Sequence, residues 1–268
     1  MKIAFLDSGV GGLTVATEFF KIIPDKEYIY YGDTLHLPYG PRSAEEVKDF
    51  SLRIIDFLIN KKNADIVVVA CNTASAVALD LAKNKFSKPI YGTINSASEK
   101  AAMLTENKKV GIIGTEGTVN SKAYQNSLIN FNSTISVFAE PCPKFVDFVE
   151  KGELSSERVV NYAKNCLQPL KKAEIDTLIL GCTHFPYLME IFEKVMGDEV
   201  KLINPAVEMA KSVKNDINIV EEEKNIKTEE EEKIDFMVSD INNISKLFWN
   251  GKLINKDLIS LREVNIFK

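Results

Sequence analysis

A short, uninterrupted apolar run constrains the fold of this chain more than any other feature. Residues 66–70 read Ile-Val-Val-Val-Ala, and an acidic residue, Asp65, precedes them. A run of β-branched residues without polar alternation indicates a parallel strand that is buried on both of its faces. Because parallel strands need crossover connections, usually helices, this run favours an α/β fold.

Other short apolar runs recur along the chain, with helical patterns between them. Ser43 and Glu46 form a capping box, which predicts a helix running to about Asn60. A second amphipathic helix is predicted from the glycine-rich turn at 7–12 to about Phe20. We therefore predict an α/β fold of largely parallel sheets flanked by helices, with strands at 2–6, 28–31, 65–70, 110–113, 135–138, 176–180, 200–203 and 234–238.

Two distant segments of the chain are alike. Segments 65–73 and 176–184 each contain an acidic residue, an apolar strand, a small residue and then a cysteine, Cys71 or Cys182. This similarity indicates two related lobes, and ligands of parallel sheets bind beyond the carboxyl ends of the strands. We predict two pseudo-symmetric lobes with the active site in the cleft between them, with residues 1–93 and 205–268 in lobe A and residues 94–204 in lobe B.

Composition and charge exclude several classes of partner. The formal net charge is −5, and no dense basic run is present, so a nucleic acid is a poor partner on charge grounds. The longest purely apolar run, at 66–71, is far shorter than the roughly 20 residues that a membrane-spanning helix needs. No signal peptide is evident either, so we expect a cytoplasmic protein without a membrane partner.

The four cysteines are expected to be reduced thiols, because disulfides are rare in the cytoplasm. No two of them form a C-x-x-C pair, so zinc-ribbon and thioredoxin-like sites lack their signature. Cys71 and Cys182 each lie at a predicted strand-to-helix turn, where the helix dipole favours a thiolate. Two opposed thiols suit the removal of a proton from one face of a carbon and its return to the other. We interpret Cys142 and Cys166 as structural.

Five motifs stand out along the chain: Phe-Leu-Asp-Ser-Gly-Val-Gly-Gly-Leu at 5–13, Tyr-Gly-Asp at 31–33, Pro-Tyr-Gly at 38–40, Ala-Cys-Asn-Thr-Ala at 70–74 and Gly-Cys-Thr-His-Phe-Pro at 181–186. They resemble the motifs of glutamate racemases and occur in the same order. The two cysteine motifs alone would indicate only the wider aspartate/glutamate racemase group, whereas the turn after the first strand and the Pro-Tyr-Gly loop are specific to glutamate racemases.

The resemblance implies an isomerase that interconverts L- and D-glutamate by two-base proton transfer at the α-carbon, without a cofactor or a metal, and supplies D-glutamate for peptidoglycan. It implies that Cys71 and Cys182 are the acid/base thiols. By the same resemblance, Asp7 assists Cys71 in proton transfer, while His184 together with Glu150 assists Cys182. The expected assembly is a homodimer. The implied contacts with the substrate, glutamate, come from Asp7, Ser8, Tyr39, Gly40, Asn72, Thr73, Thr183 and His184.

Two features depart from the family pattern. Asn204, in Ile-Asn-Pro-Ala, stands where the family usually has aspartate, but asparagine caps a helix well. An acidic stretch at 221–233 looks longer than is usual in the family. We interpret it as a solvated connector or an exposed helix.

Four alternatives remain open from the sequence. The nearest is an aspartate racemase or a related isomerase of the same superfamily, which only the side-chain pocket separates from a glutamate racemase. A pyridoxal-phosphate racemase would reveal itself by the colour of the purified protein. A non-enzymatic two-lobed ligand-binding protein would not exchange a substrate proton with solvent. An interaction protein acting through the acidic stretch is the fourth.

Overall fold

The computed structural model describes residues 1–221, 234–244, 248 and 259–268. Strands and helices alternate through most of these residues. The strands are β1 Lys2–Asp7, β2 Glu27–Gly32, β3 Ile66–Val69, β4 Ile90–Gly92, β5 Lys109–Gly114, β6 Ser136–Pro141, β7 Thr177–Gly181, β8 Lys201–Ile203, β9 Ile234–Val238 and β10 Ile259–Glu263. The α-helices are α1 Leu13–Ile22, α2 Ala44–Asn60, α3 Asn72–Lys85, α4 Thr93–Leu104, α5 Glu116–Asn120, α6 Ala123–Phe131, α7 Lys144–Glu150, α8 Glu157–Cys166, α9 Gln168–Lys172, α10 Met189–Met196 and α11 Pro205–Glu221.

The strands form two separate parallel sheets. The first has six strands in the order β10-β9-β2-β1-β3-β4, and the second has four in the order β6-β5-β7-β8. In the first sheet β1 pairs with β3, and in the second β5 pairs with β7. The two strands that precede Cys71 and Cys182 therefore occupy corresponding places. The predicted α/β fold with two lobes is confirmed.

All eight predicted strands are present, and β4 and β10 are two that the sequence analysis missed. Both lie at an edge of the first sheet. Of the three residues in β4, only Ile90 is buried, and β10 mixes apolar with polar residues in Ile-Ser-Leu-Arg-Glu. An edge strand has a neighbour on one side only, so neither segment carries the continuous apolar run that identifies a central strand.

The predicted starts of the first two helices are confirmed. The Ser43 hydroxyl accepts a hydrogen bond from the backbone N–H of Glu46, and the Glu46 carboxylate accepts one from the backbone N–H of Ser43. This reciprocal pair satisfies two amides that the first turn of α2 would otherwise leave unbonded. Helix α1 begins at Leu13, directly after the glycine-rich turn.

The hydrophobic core is not divided cleanly between the sheets. One buried cluster contains Phe5 and Tyr30 of the first sheet together with Leu180 of the second. Helix α11 packs against both α1 and α4, and so it also joins the two parts of the chain. The division of the chain after residues 93 and 204 stays a prediction.

The expectation of four reduced cysteines is wrong for one pair. Cys142 and Cys166 form a disulfide, and their Cα atoms are 6.3 Å apart. Cys142 follows β6 and Cys166 ends α8, so the pair meets through tertiary packing that no sequence spacing reveals. The interpretation of both residues as structural agrees with this bond. Cys71 and Cys182 are free and buried.

Within the described parts of the chain, no helix has both the length and the apolar character that crossing a membrane requires. The acidic stretch at 221–233 lies, beyond its first residue, outside the described residues. Its predicted character therefore stays a prediction.

Candidate active site

The two free thiols line the same cavity, which has a volume of about 310 Å³. It opens at the carboxyl ends of β3 and β7, as the sequence analysis predicted. A volume of this size suits a small ligand. Most of the predicted site residues line it, namely Ser8, Tyr39, Gly40, Cys71, Asn72, Thr73, Cys182, Thr183 and His184.

Asp7 and Glu150 are the two predicted site residues that do not line the cavity. Asp7 is fully buried, and its Oδ2 accepts hydrogen bonds from the backbone N–H groups of Gly9 and Gly12. Asp7 therefore shapes the glycine-rich turn. Its other oxygen, Oδ1, is buried without a hydrogen-bond partner in the described structure. Burial raises the pKa of Asp7, while the nearby His184 and the two backbone amides act in the opposite direction.

Cys71 lies two residues beyond the end of β3 and is the N-cap of α3. Its Sγ lies 3.8 Å from the Oγ of Ser8. Burial raises the pKa of Cys71 to about 12, and the carboxylate of Asp7 adds to the rise. These effects outweigh the backbone N–H of Ala74 and the Ser8 hydroxyl, which favour the thiolate. Burial and Asp7 together therefore outweigh the effect of the helix start, and the pKa of the Cys71 thiol lies above its usual value.

Cys182 has a different neighbourhood. No α-helix starts directly after it, contrary to expectation, because the chain first makes a short 3₁₀ helix at Phe185–Leu188 before α10 begins. Pro186 lies in the first turn of that helix. The partner of Cys182 is His184 instead, whose Nδ1 lies 3.7 Å from the Cys182 Sγ.

His184 links Cys182 to Glu150. The Nε2 of His184 is 2.5 Å from the Glu150 Oε1, and Glu150 is the last residue of α7. Burial lowers the pKa of His184, but its hydrogen bonds with Cys182 and Glu150 outweigh burial and raise that pKa well above its usual value. These bonds therefore favour the positively charged form of His184, whose Nδ1 faces the Cys182 sulfur. The predicted grouping of Cys182, His184 and Glu150 is present.

The start of α1 touches the segment that follows β7. A Cβ atom added at Gly11 would lie 2.6 Å from the His184 Cε1 and 2.7 Å from the Thr183 Oγ1. The Thr14 hydroxyl also donates a hydrogen bond to the backbone carbonyl of Thr183. Only glycine at position 11 leaves room for His184, and so the glycine-rich turn positions the imidazole.

The Pro-Tyr-Gly loop is held from inside by one carboxylate. Asp33 is fully buried, accepts hydrogen bonds from the hydroxyls of Tyr39 and Ser239, and pairs with the His36 Nδ1. The Tyr39 hydroxyl is therefore occupied within the protein. The Gly40 carbonyl accepts a hydrogen bond from the Gly117 N–H at the start of α5, so this loop joins the two sides of the cavity.

Several residues of the cavity wall were missed by the sequence analysis. Thr115 lines the cavity, and its hydroxyl lies 3.0 Å from that of Thr73. Thr118 is 3.3 Å from the same Thr73 oxygen. The available signal was position, since Thr115 follows β5 at the same edge of its sheet as Cys182 follows β7. Glu116 and four residues around the start of α7 also line the cavity, namely Pro143, Lys144, Val146 and Asp147.

Asn204 has the capping role expected of it. Its Oδ1 accepts a hydrogen bond from the backbone N–H of Ala206, in the first turn of α11. Asparagine at this position therefore satisfies one of the backbone amides at the helix start.

Comparison with known proteins places the chain among racemases. A model of the Asp/Glu/Hydantoin racemase family matches residues 15–213. A glutamate racemase from Bacillus cereus is 46% identical over 79% of this chain and 78% of its own length, and one from Thermoanaerobacter sp. is 41% identical over 80% and 79%. The crystal structure of a glutamate racemase from Francisella tularensis in complex with D-glutamate superposes with a TM-score of 0.89 at 30% identity, over 99% of this chain and 98% of that one.

Proposed function

The chain belongs to the Asp/Glu/Hydantoin racemase family, and from this we propose that it is a glutamate racemase acting without a cofactor. The observation that carries the proposal is the pair of buried thiols, Cys71 and Cys182, that line one small cavity at corresponding strand ends. A single cysteine nucleophile would not need a second thiol in the same cavity. The glutamate racemases compared above support the choice of substrate.

The two sulfurs supply the acid and the base of the reaction. One sulfur, as a thiolate, removes the α-proton of glutamate from one face, and the other, as a thiol, delivers a proton to the opposite face. The sulfurs exchange these roles at each turnover. Two observations support such a pair: burial raises the pKa of the Cys71 thiol, and the imidazole of His184 lies 3.7 Å from the Cys182 sulfur.

The α-proton of an amino acid is very weakly acidic, so the thiolate needs help from the cavity wall. Hydrogen-bond donors that face the α-carboxylate stabilise the negative charge that develops on it as the proton leaves. The cavity offers the hydroxyls of Ser8, Thr73 and Thr183 and the amide of Asn72. We propose that substrate contacts come from residues that line the cavity, namely Ser8, Tyr39, Gly40, Asn72, Thr73, Thr183 and His184. Asp7 does not line it, and we propose that it acts on the reaction through Cys71.

The physiological setting follows from the same proposal. D-Glutamate produced here would supply peptidoglycan synthesis in the cytoplasm, with a homodimer as the acting form. We also propose that residues 1–93 with 205–268 and residues 94–204 act as the two lobes that enclose the substrate. Family membership and the two sheets support these statements.

Incubation with L- or D-glutamate in D₂O, with no added cofactor, tests the function. We expect the α-proton signal in the NMR spectrum and the optical rotation to disappear together from either enantiomer. Exchange with aspartate but not glutamate would assign the chain to aspartate racemisation. No exchange with either amino acid would favour a binding protein.

The Gly11→Ala variant tests how His184 is positioned. The added Cβ would lie 2.6 Å from the imidazole, so His184 must move away from Cys182 or Glu150. We expect kcat to fall by about 10- to 100-fold, since a displacement of about 1 Å can cost that much. Gly9→Ala is the matched control, because its Cβ would meet only Leu37 at 3.7 Å. Equal rates for the two variants would contradict this role of Gly11.

A further inference from the structure

Two hydroxyl groups converge on one oxygen behind the cavity wall. The Tyr124 hydroxyl donates to the Asn72 Oδ1 at 2.7 Å, and the Thr93 hydroxyl donates to the same oxygen at 2.9 Å. Tyr124 belongs to α6, and Thr93 and Asn72 are the first residues of α4 and α3. Neither Tyr124 nor Thr93 lines the cavity, and both are fully buried or nearly so. They can therefore act on a bound ligand only through Asn72.

The two bonds determine which way the Asn72 amide points. An amide oxygen has two lone pairs, and the two hydroxyls use both of them. The side-chain nitrogen of Asn72 donates to no group among the described residues, although the residue is only 4% exposed and lines the cavity. Because both lone pairs of the oxygen are used behind the wall, the NH₂ group is the part of this amide that is left to bind a ligand in the cavity.

The opposite orientation of this amide would weaken the binding of an anionic ligand. A rotated Asn72 would direct its carbonyl oxygen into the cavity, where it would repel a carboxylate. Burial raises the pKa of Tyr124, so this hydroxyl holds its proton more tightly than a free tyrosine does and serves as a donor. The pair of hydroxyls therefore holds the orientation that attracts a carboxylate.

We propose that Tyr124 and Thr93 are positioning residues that fix the Asn72 amide with its NH₂ group toward a carboxylate of the substrate. The proposal rests on the proposed racemase function, because it assigns an anionic amino acid to the cavity. Residues of three helices cooperate in it, and the substrate touches only one of them.

A double-mutant cycle of Tyr124→Phe and Asn72→Ala tests this proposal. Tyr124→Phe removes one hydroxyl and keeps the ring, and we expect kcat/KM for glutamate to fall about 5- to 10-fold, as for one lost hydrogen bond. Binding of D-glutamate, measured by calorimetry, should weaken as well. In the Asn72→Ala background the same change should have little further effect on kcat/KM, because the group it orients is gone. Thr93→Val should lower kcat/KM by a similar factor, and it replaces Tyr124→Phe in the cycle if the tyrosine variant does not fold.

Tyr31→Phe is the matched control. Tyr31 is also fully buried, and its hydroxyl donates to the backbone carbonyl of Val264 at 2.8 Å, away from the cavity. We expect Tyr31→Phe to lower the free energy of unfolding by about as much as Tyr124→Phe does, and to leave kcat/KM unchanged. A Tyr124→Phe variant that keeps the wild-type kcat/KM, or one that loses the same factor with and without Asn72, would overturn the positioning role. A wild-type protein that does not racemise glutamate would overturn the proposed function instead.

Discussion

The Cys71→Ala and Cys182→Ala variants are each expected to lose racemisation in both directions, by at least about 10³-fold. General acid or base groups contribute about 10²–10⁴-fold each, and a two-base reaction needs both groups in every turnover. The remaining thiol can remove a proton only from its own face and must return it there. Polarimetry with each enantiomer measures the loss, and NMR in D₂O detects any exchange that keeps the configuration.

Cys166→Ala, assayed under reducing conditions, is the control for these variants. Cys166 is half-buried and lies outside the cavity, and a reductant opens its disulfide with Cys142 in the wild type as well. We expect this variant to turn over at the rate of the reduced wild type. Turnover near the normal rate in either Cys71→Ala or Cys182→Ala would refute the two-thiol mechanism.

His184→Gln is expected to lower kcat by about 10²-fold at neutral pH, within the range for an acid/base helper. The variant removes the positive charge that lies 3.7 Å from the Cys182 sulfur. Since alkylating agents react with thiolates, iodoacetamide should modify Cys182 more slowly in the variant, while Cys71 should react at an unchanged rate. Mass spectrometry of the alkylated peptides distinguishes the two sites.

Glu150→Gln is the matched comparison for that variant. The amide keeps an oxygen that can accept the His184 N–H, but it removes the negative charge that helps to raise the pKa of His184. We expect a smaller loss of kcat, about 10-fold, and an intermediate alkylation rate at Cys182. A larger loss of kcat in Glu150→Gln than in His184→Gln would show that Glu150 does not act through His184.

Much of the site could be predicted because strand ends can be read from sequence. The apolar runs before Cys71 and Cys182 identify central parallel strands, and parallel sheets bind ligands at the carboxyl ends of such strands. The raised pKa of Cys71 could not be predicted in this way. It depends on burial and on the nearby Asp7, which oppose the helix-start amide and appear only in three dimensions.

Contacts between distant residues account for most of what was missed. Asn72 is 21 residues from Thr93 and 52 from Tyr124, and neither partner belongs to a recognisable motif. The disulfide of Cys142 with Cys166 closes a loop of helices whose packing decides whether the thiols meet. Edge strands such as β4 escaped notice because partial exposure removes the apolar signal.

The buried carboxylate of Asp33 sets a lower limit on the length of polypeptide that can be active. It binds the hydroxyl of Ser239, and the backbone of Asp240 is tied to Thr34 as well. A protein cut after α11 would lack both partners, and the loop that carries Tyr39 and Gly40 would lose its anchor. We therefore expect the smallest active fragment to extend past β9, even though Cys71 and Cys182 lie well before it.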